Sequence, residues 1–259
     1  RDRPGLGSRG RGTYNPARQV RWRDLVRDLK ILLVHPDWRQ DRFGFRLAAM
    51  PEPLGLEMLA AAVPDHDVRI VDQRVGHDLS AALSDFAPDL VGVTALTPEI
   101  YAAQEVLAQV KAADADAFTV VGGVHASLLP GDFHLPAVDA IILGEGEPTF
   151  QAVVAAVEAG RPLAEVPNLV YRDTDGSFRA TERSHVALDL DTSPLPRRDL
   201  TADARDQYHF LFHRPDTSMA TGRGCPYRCN FCSVWQFYGG RTRMMSAERV
   251  VRELRTVTT

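Results

Sequence analysis

Short apolar runs alternate with longer amphipathic segments from residue 31 onwards, and this alternation dominates the chain. The apolar runs have the length of buried strands, and the longer segments have the spacing of helices. The predicted strands are Ile31–Val34, Val68–Val71, Leu90–Thr94, Thr119–Val121 and Ala140–Leu143. The predicted helices are Pro53–Val63, Leu79–Phe86, Pro98–Ala113 and Pro148–Ala159. Five strands alternating with helices predict an α/β fold with a doubly wound parallel sheet.

The rhythm changes after residue 160. Residues 168–172 and 177–180 flank an Asp-Gly turn, which predicts a β-hairpin. Residues 189–198 are rich in Pro and Asp, as is typical of linkers. A strand over 218–221 is then predicted before the cysteines, and Ser246 is a plausible N-cap for a helix over 247–254.

These patterns divide the chain into four parts. We predict a disordered basic arm, an α/β domain, a linker that contains the hairpin, and the start of a second domain, at residues 1–29, 30–160, 161–215 and 216–259 respectively. The second domain contains only one predicted βα unit. We therefore expect it to be incomplete.

Polar residues and glycines follow four of the five predicted strands. The carboxyl ends of parallel strands are where ligands bind in such sheets. The segments are His35-Pro36-Asp37-Trp38, Thr94-Ala95-Leu96-Thr97, Gly122-Gly123-Val124-His125 and Gly144-Glu145-Gly146-Glu147. Glycine lets a backbone approach a ligand closely, because no Cβ intervenes. Each segment alone is explained by a tight turn, but the four together favour a large cofactor across the sheet edge.

Composition and charge agree with a soluble globular protein. Hydrophobic residues make up 44% and charged residues 25% of the 259. No apolar run approaches the roughly 18 residues of a membrane span, and no signal peptide is visible. Residues 1–30 carry eight Arg and one Lys against three Asp, a net charge of +6. Because the whole chain has a net charge of −4, residues 31–259 carry −10. A basic arm could bind nucleic acid, but its glycine-rich composition favours a disordered, non-native or upstream-extended terminus.

All three cysteines fall within eight residues, as Cys225-x3-Cys229-x2-Cys232. Structural zinc needs four ligands, and a cubane iron–sulfur cluster normally has a thiolate on each of its four irons. Three cysteines leave one iron open to a substrate or cofactor, which indicates catalysis. A zinc site completed by His209 or His213 is the alternative. Three such thiols form no disulfide framework, which favours a reducing, cytoplasmic compartment.

The cysteine loop resembles the signature of the radical S-adenosylmethionine superfamily, in which an aromatic residue, here Phe231, precedes the last cysteine. The resemblance implies a 4Fe–4S cluster on Cys225, Cys229 and Cys232, with S-adenosylmethionine on the fourth iron and Phe231 against its adenine. It also implies an electron donor such as flavodoxin or ferredoxin. Only the first βα unit of the superfamily's TIM-like barrel, residues 217–257, is expected here, so the barrel would be truncated and this chain alone inactive.

The preceding domain resembles the Rossmann-like, cobalamin-binding domain that is joined to many of these enzymes. The similar segments are Pro53–Glu57, Gly122–Ala126, Gly144–Glu147 and Leu195–Asp199. The D-x-H-x-x-G signature is absent, because His125 has no Asp two residues before it, so the lower ligand of cobalt stays open. The resemblance implies that the following residues line the corrin site: Thr94, Thr97, Gly122, Gly123, His125, Gly144 and Gly146.

These resemblances imply a cobalamin-dependent methyltransferase that acts on an unactivated carbon of a small-molecule or lipid substrate. Residues 235–241 are similar to the hopanoid ring-A methylases, although Phe237 and Tyr238 are expected to pack the first barrel helix. Two alternatives stay open. One is radical chemistry without methylation, such as a cyclisation, oxidation or rearrangement, and the other is a cobalamin carrier or sensor. Nucleic-acid binding is unfavoured and would depend on the basic arm.

Overall fold

A computed structural model describes residues 28–37, 48–184 and 188–257. The basic arm predicted for residues 1–29 lies outside the described residues, except for its last two. Among the described residues, no helix combines the length and the apolar character that crossing a bilayer requires.

The strands are β1 (Lys30–His35), β2 (Ala49–Met50), β3 (Asp67–Asp72), β4 (Leu90–Thr94), β5 (Phe118–Gly122), β6 (Ala140–Ile142), β7 (Leu169–Arg172), β8 (Phe178–Ala180), β9 (His209–Phe210), β10 (Gly222–Arg223) and β11 (Arg243–Met244). The helices are α1 (Leu54–Ala61), α2 (Leu79–Phe86), α3 (Ile100–Ala113), α4 (Val124–Leu128), α5 (Gly146–Glu158), α6 (Val234–Phe237) and α7 (Ala247–Val257). Short 3-10 helices include Thr97–Glu99, Pro130–Phe133 and Arg198–Gln207. The five strands and four helices predicted before residue 160 are confirmed, with ends displaced by two residues at most.

The central sheet has the strand order β3-β1-β4-β5-β6-β7-β8. The first five of these strands are parallel, with Leu33 of β1 between Ile70 of β3 and Gly92 of β4. Parallel strands covered on both faces consist of continuous apolar runs, and residues 31–34 of β1 are fully buried. In chain order the parallel strands run 2-1-3-4-5, which confirms the doubly wound sheet.

Helices cover both faces of this sheet, so the core has two layers. On one face, α2 and α3 pack Phe86 and Leu107 against the sheet. On the other face, α1 and α5 contribute Leu56 and Phe150 to a second apolar cluster.

The predicted hairpin forms as β7 and β8, and it belongs to the sheet. β7 pairs antiparallel with β6, with Ile141 opposite Val170, so the hairpin continues the sheet beyond the division that the sequence placed at residue 160. Leu169 and Val170 are buried at this position. The hairpin thus covers the edge of β6, whose backbone groups would otherwise be unpaired.

The strand predicted at residues 218–221 is wrong. The strand that precedes the cysteines is β10, which begins at Gly222 and pairs antiparallel with β11. The backbone of Ser218 bonds to side chains instead of to a strand: its N–H donates to Glu52 Oε1 at 2.9 Å, and its carbonyl accepts from Arg198 at 2.7 Å. The predicted N-cap of α7 is confirmed, since Ser246 Oγ accepts from the backbone N–H of residue 249 at 3.2 Å.

Candidate functional site between the sheet edge and the cysteine loop

A cavity of about 320 Å³ lies at the carboxyl ends of β4, β5 and β6. Its deeper wall is apolar and comes from the sheet and from α1 and α5, with Leu59, Val120, Ile142 and Phe150 among its residues. Its opposite wall comes from β10 and α6, the elements that flank the cysteine loop. One cavity therefore joins the parallel sheet to the cysteine segment.

Glycines shape the sheet side of this cavity. Gly144 follows β6 with φ of +78°, and a Cβ there would meet no atom within 4 Å, so the space beside it is open. Gly123 has φ of +101°, and a Cβ there would lie 2.9 Å from the carbonyl oxygen of Ala95. Side chains at these positions would be strained or would narrow the cavity.

The structure brings together most of the residues predicted to line the corrin site. The five that line the cavity are Thr94, Gly122, Gly123, Gly144 and Gly146. Thr97 and His125 lie outside its wall. His125 is only 4% exposed, and its two ring nitrogens lie 2.9 Å from Asp132 Oδ2 and 3.2 Å from Thr97 Oγ1. Both nitrogens therefore have protein partners, and His125 holds the turn after β5.

Sequence reasoning missed the carboxylates of the acidic segment. Glu145 and Glu147 both accept hydrogen bonds from Arg223, and Glu145 accepts another from Arg243. Burial lowers the pKa of Arg223, but the hydrogen bonds and charges of the two glutamates outweigh it, so its pKa lies above the ordinary value. The signal in the sequence is opposite charge, because two acids alternate with glycines in Gly144–Glu147 and arginines lie on both sides of the cysteine loop.

The cysteine loop is open to solvent. Cys229 is exposed, Cys225 and Cys232 are half-buried, and Phe231 is 89% exposed. Three thiols on one loop have the donor chemistry of a three-cysteine cluster site. Within the described ranges, however, no three His, Cys, Asp or Glu side chains lie close enough together to hold a metal ion. The same finding holds for the alternative zinc site, which would combine the cysteines with a histidine.

Phe237 and Tyr238 line the cavity instead of only packing a helix. Their rings meet edge to face with centroids 4.8 Å apart. In the same helix, the indole N–H of Trp235 donates to the backbone oxygen of Cys229 at 3.2 Å. The short helix α6 therefore connects the cavity wall to the cysteine loop.

A buried ion network fixes the cysteine segment to the α/β domain. Arg198 donates to Glu52 at 3.1 Å and to Glu253 of α7 at 2.9 Å. Arg249 donates to the other oxygen of Glu253 at 3.1 Å. Nearby, burial raises the pKa of Glu57 on α1 to about 7.

Among known protein families, one family model matches most of the α/β domain. Residues 46–154 match the family model of the B12 binding domain. The chain is 35% identical to an uncharacterized methyltransferase of Pyrococcus horikoshii over 233 residues, which covers 87% of this chain and 50% of the relative. It is 30% identical to the anaerobic magnesium-protoporphyrin IX monomethyl ester cyclase of Rubrivivax gelatinosus (87% and 42% covered) and 32% identical to the hopanoid C-3 methylase of Methylococcus capsulatus (88% and 44%). The chain thus spans about half the length of these relatives.

Solved structures of similar fold include two enzymes. The cobalamin-dependent S-adenosylmethionine radical enzyme OxsB, with aqua-cobalamin and S-adenosylmethionine bound, gives a TM-score of 0.71 at 21% identity, covering 88% of this chain and 31% of that one. The radical S-adenosylmethionine methyltransferase TsrM from Kitasatospora setae, with cobalamin and a [4Fe-4S] cluster bound, gives 0.66 at 21% identity, covering 89% and 46%. The Rossmann-like character predicted for the sheet is thereby confirmed.

Proposed function

We propose, on the premise that residues 46–154 are a B12-binding domain, that the sheet-edge cavity binds cobalamin. We further propose that Cys225, Cys229 and Cys232 hold a 4Fe–4S cluster. The whole protein would be a radical S-adenosylmethionine methyltransferase that acts on an unactivated carbon of a small-molecule or lipid substrate. A small electron-transfer protein such as flavodoxin or ferredoxin would reduce it.

The observation that carries this proposal is that both the parallel sheet and the cysteine segment contribute residues to the cavity wall. Glycines at the ends of two parallel strands, β5 and β6, lie on the sheet side, and Gly222, Arg223 and Tyr238 come from the cysteine segment. Its volume of about 320 Å³ lies at the lower end for ligand pockets, so it would enclose one part of a cofactor as large as cobalamin. A cofactor held there would lie next to the cysteine loop.

The chain's own residues would bind and orient these groups. The apolar wall around Phe150 would exclude water from the enclosed part of cobalamin, and Gly144 would allow close approach to the backbone. Phe231 is exposed, as a residue that contacts a further ligand would be. When bound, cobalamin supplies a transferable methyl group and the cluster supplies the electron that cleaves S-adenosylmethionine.

Cobalamin binding is tested by filling the cavity from Gly122. This residue shares a sheet face with Val120, has no positive φ, and a Cβ on it would meet Ile142 Cβ at an ordinary 3.6 Å. Gly122→Leu should weaken hydroxocobalamin binding at least about tenfold, or about 1.4 kcal/mol, as followed by absorbance titration. Gly122→Ala should have a much smaller effect. Gly131→Leu, which enters open space elsewhere, should bind like the wild type.

Equal affinity of the Gly122→Leu protein and the wild type would exclude the cavity as the cobalamin site. Thermal unfolding of each variant shows whether the fold is retained.

The cluster is tested by anaerobic reconstitution with iron and sulfide. We expect a brown, reducible chromophore with about four irons per chain, and we expect its loss when alanine replaces any one of Cys225, Cys229 and Cys232. A colourless protein that retains zinc would instead support the zinc alternative.

A second candidate reaction is a cyclisation without methyl transfer, because one of the relatives quoted above is a cyclase. The two reactions differ in the fate of the methyl group of S-adenosylmethionine. In the whole protein, transfer of an isotopically labelled methyl group into product supports methylation, whereas 5′-deoxyadenosine formation with unlabelled product supports the cyclisation.

A further inference from the structure

Two arginines on the β10–β11 ladder hold the acidic segment that follows β6. Arg223 Nη1 donates to Glu145 Oε2 at 3.0 Å and to Glu147 Oε2 at 3.2 Å, and its Nη2 donates to Glu147 Oε1. Arg243 Nη2 donates to Glu145 Oε1, and its Nη1 donates to the carbonyl of Leu188 at 2.7 Å. We refer to Glu145, Glu147, Arg223 and Arg243 as the arginine–glutamate cluster. Its charges cancel, and all four carboxylate oxygens accept hydrogen bonds.

The cluster is largely shielded from water, since its four side chains are between 9% and 19% exposed. Ion pairs in such surroundings are screened by salt much less than surface pairs. Because the guanidinium of Arg223 makes forked contacts, the pairing fixes the orientation of the arginine relative to the glutamates in addition to their distance. The cluster is therefore suited to setting the position of one segment relative to another.

The arginines lie at the base of the cysteine loop. Arg223 and Arg243 are directly opposite each other in the antiparallel ladder, so the chain between them leaves and returns at this point. Arg223 is separated from Cys225 only by Gly224, where a Cβ would lie 1.7 Å from the backbone oxygen of Arg241. With the base of the loop in such close contact, a displacement of Arg223 displaces Cys225.

The glutamates lie in the wall of the cavity. Glu145, Gly146 and Glu147 line it together with Arg223, and Arg223 Nη2 also contacts the sulfur of Met58, another lining residue, at 3.7 Å. A ligand that enters the cavity therefore meets the same residues that hold the cysteine loop. Because energetic coupling between two sites is reciprocal, a change at either one acts on the other.

We propose that the arginine–glutamate cluster positions the cysteine loop against the cavity and couples occupancy of the cavity to the reactivity of the Cys225 thiol. The inference rests on the proposed function only for the identity of the ligand, cobalamin. These four residues are positioning residues, since they act on the thiol through the backbone of β10 and β11.

The test is site-resolved alkylation of the metal-free chain by iodoacetamide under anaerobic conditions, with and without saturating hydroxocobalamin. Mass spectrometry gives a separate rate for each cysteine, and absorbance of the same samples gives the amount of cobalamin bound. We expect hydroxocobalamin to change the Cys225 rate relative to that of Cys229 at least about fivefold, the lower end of typical coupling between sites. Unfolding exposes both thiols alike, so the ratio of the two rates reports position and not stability.

Arg243→Gln removes one arm of the cluster without altering the cavity wall, of which Arg243 is not a part. In this variant the ligand-induced change in the rate ratio should be lost. Arg243→Lys keeps the charge but not the two-armed contact, so its ligand-induced change in the rate ratio should lie between those of the wild type and Arg243→Gln. The lysine variant provides the test if the glutamine variant does not fold. Arg197→Gln, which removes a partly exposed arginine paired with Asp199, is the matched control and should behave like the wild type.

The outcomes separate this inference from the proposed function. If hydroxocobalamin binds the wild type and the rate ratio stays constant, the coupling is refuted while cobalamin binding stands. If hydroxocobalamin does not bind, the proposed function fails and the ligand-free samples decide the positioning role. A Cys225 rate, relative to that of Cys229, that differs between Arg243→Gln and the wild type would then support that role, and an equal ratio would overturn it.

Discussion

Replacing Glu57 by glutamine should remove a large part of the pH dependence of this protein's stability. Glu57 is on α1 and is 0% exposed. Its Oε1 accepts a hydrogen bond from Thr201 Oγ1 at 2.5 Å, and its Oε2 has no hydrogen-bond partner among the described residues. Burial is the largest cause that raises the pKa of this carboxyl from 4.5 to about 7, with the charge of Glu52 adding to it. Thr201 and Arg198 act in the opposite direction but are outweighed.

The sign and the size follow from linkage. Below pH 4.5 the carboxyl is protonated in both the folded and the unfolded states, so its contribution to the free energy of unfolding is at its maximum. Between pH 4.5 and about pH 7 the unfolded chain loses the proton first, and the free energy of unfolding falls by about 1.4 kcal/mol per pH unit. The total loss from this group is on the order of 3 kcal/mol. Above pH 7 its contribution is constant.

Urea unfolding of the wild type and Glu57→Gln at several pH values between 4 and 8 measures this effect. Glutamine has no such titration, so the difference in unfolding free energy between the two proteins should change by about 3 kcal/mol across this range. Glu105→Gln, which removes an exposed carboxyl on α3, is the control and should give a much flatter difference. A constant difference between the wild type and Glu57→Gln would refute the reasoning.

Three further predictions concern packing and ion pairs. Gly92→Ala should lower the unfolding free energy by about 1–3 kcal/mol, because its Cβ would lie 2.8 Å from Leu33 Cδ2 in the core; an unchanged urea midpoint would contradict this. Gly224→Ala should speed proteolysis within the cysteine loop while amide exchange in the central sheet stays slow, because its Cβ would lie 1.7 Å from a backbone oxygen. Arg198→Met should cost about 3–5 kcal/mol in urea unfolding, because it leaves two buried glutamates without this partner. Arg197→Met should cost at most about 1 kcal/mol, because its pair with Asp199 is partly open to solvent.

The sheet could be predicted from the sequence because its strands are buried on both faces. A run such as Ile31–Val34 has no polar face, so its composition alone identifies it. The irregular backbone around Ser218, where a strand was predicted, could not be anticipated, because side chains far away in sequence bond it. The N–H of Ser218 donates to Glu52, 166 residues earlier. Pairings of this kind leave no periodic pattern in either segment.

The candidate site was predicted only in part, because local sequence indicates some of its residues and contacts between distant segments determine the others. Glycines at the ends of predicted strands indicate where the backbone can approach a ligand closely, and Gly122 and Gly144 do line the cavity. His125 follows the same strand end as Gly122, but its contact with Asp132 turns it away from the cavity wall. The pairing of Arg223 with Glu147 joins residues 76 positions apart, so only their opposite charges indicated it.

Side-chain size explains why the cavity lies where it does along the sheet edge. The order of parallel strands reverses between β1 and β4, and a ligand crevice is expected at such a reversal. Here His35 at the end of β1 lies 3.8 Å from the buried Glu99, whose carboxylate also accepts from the backbone N–H of Leu96 at 2.9 Å, so side chains fill that position. Further along this edge, at the ends of β5 and β6, Gly122 and Gly144 lie in the cavity wall, and a Cβ on Gly144 would meet no atom within 4 Å. Topology therefore selects the edge of the sheet, and the glycines at the ends of β5 and β6 leave the open space on that edge.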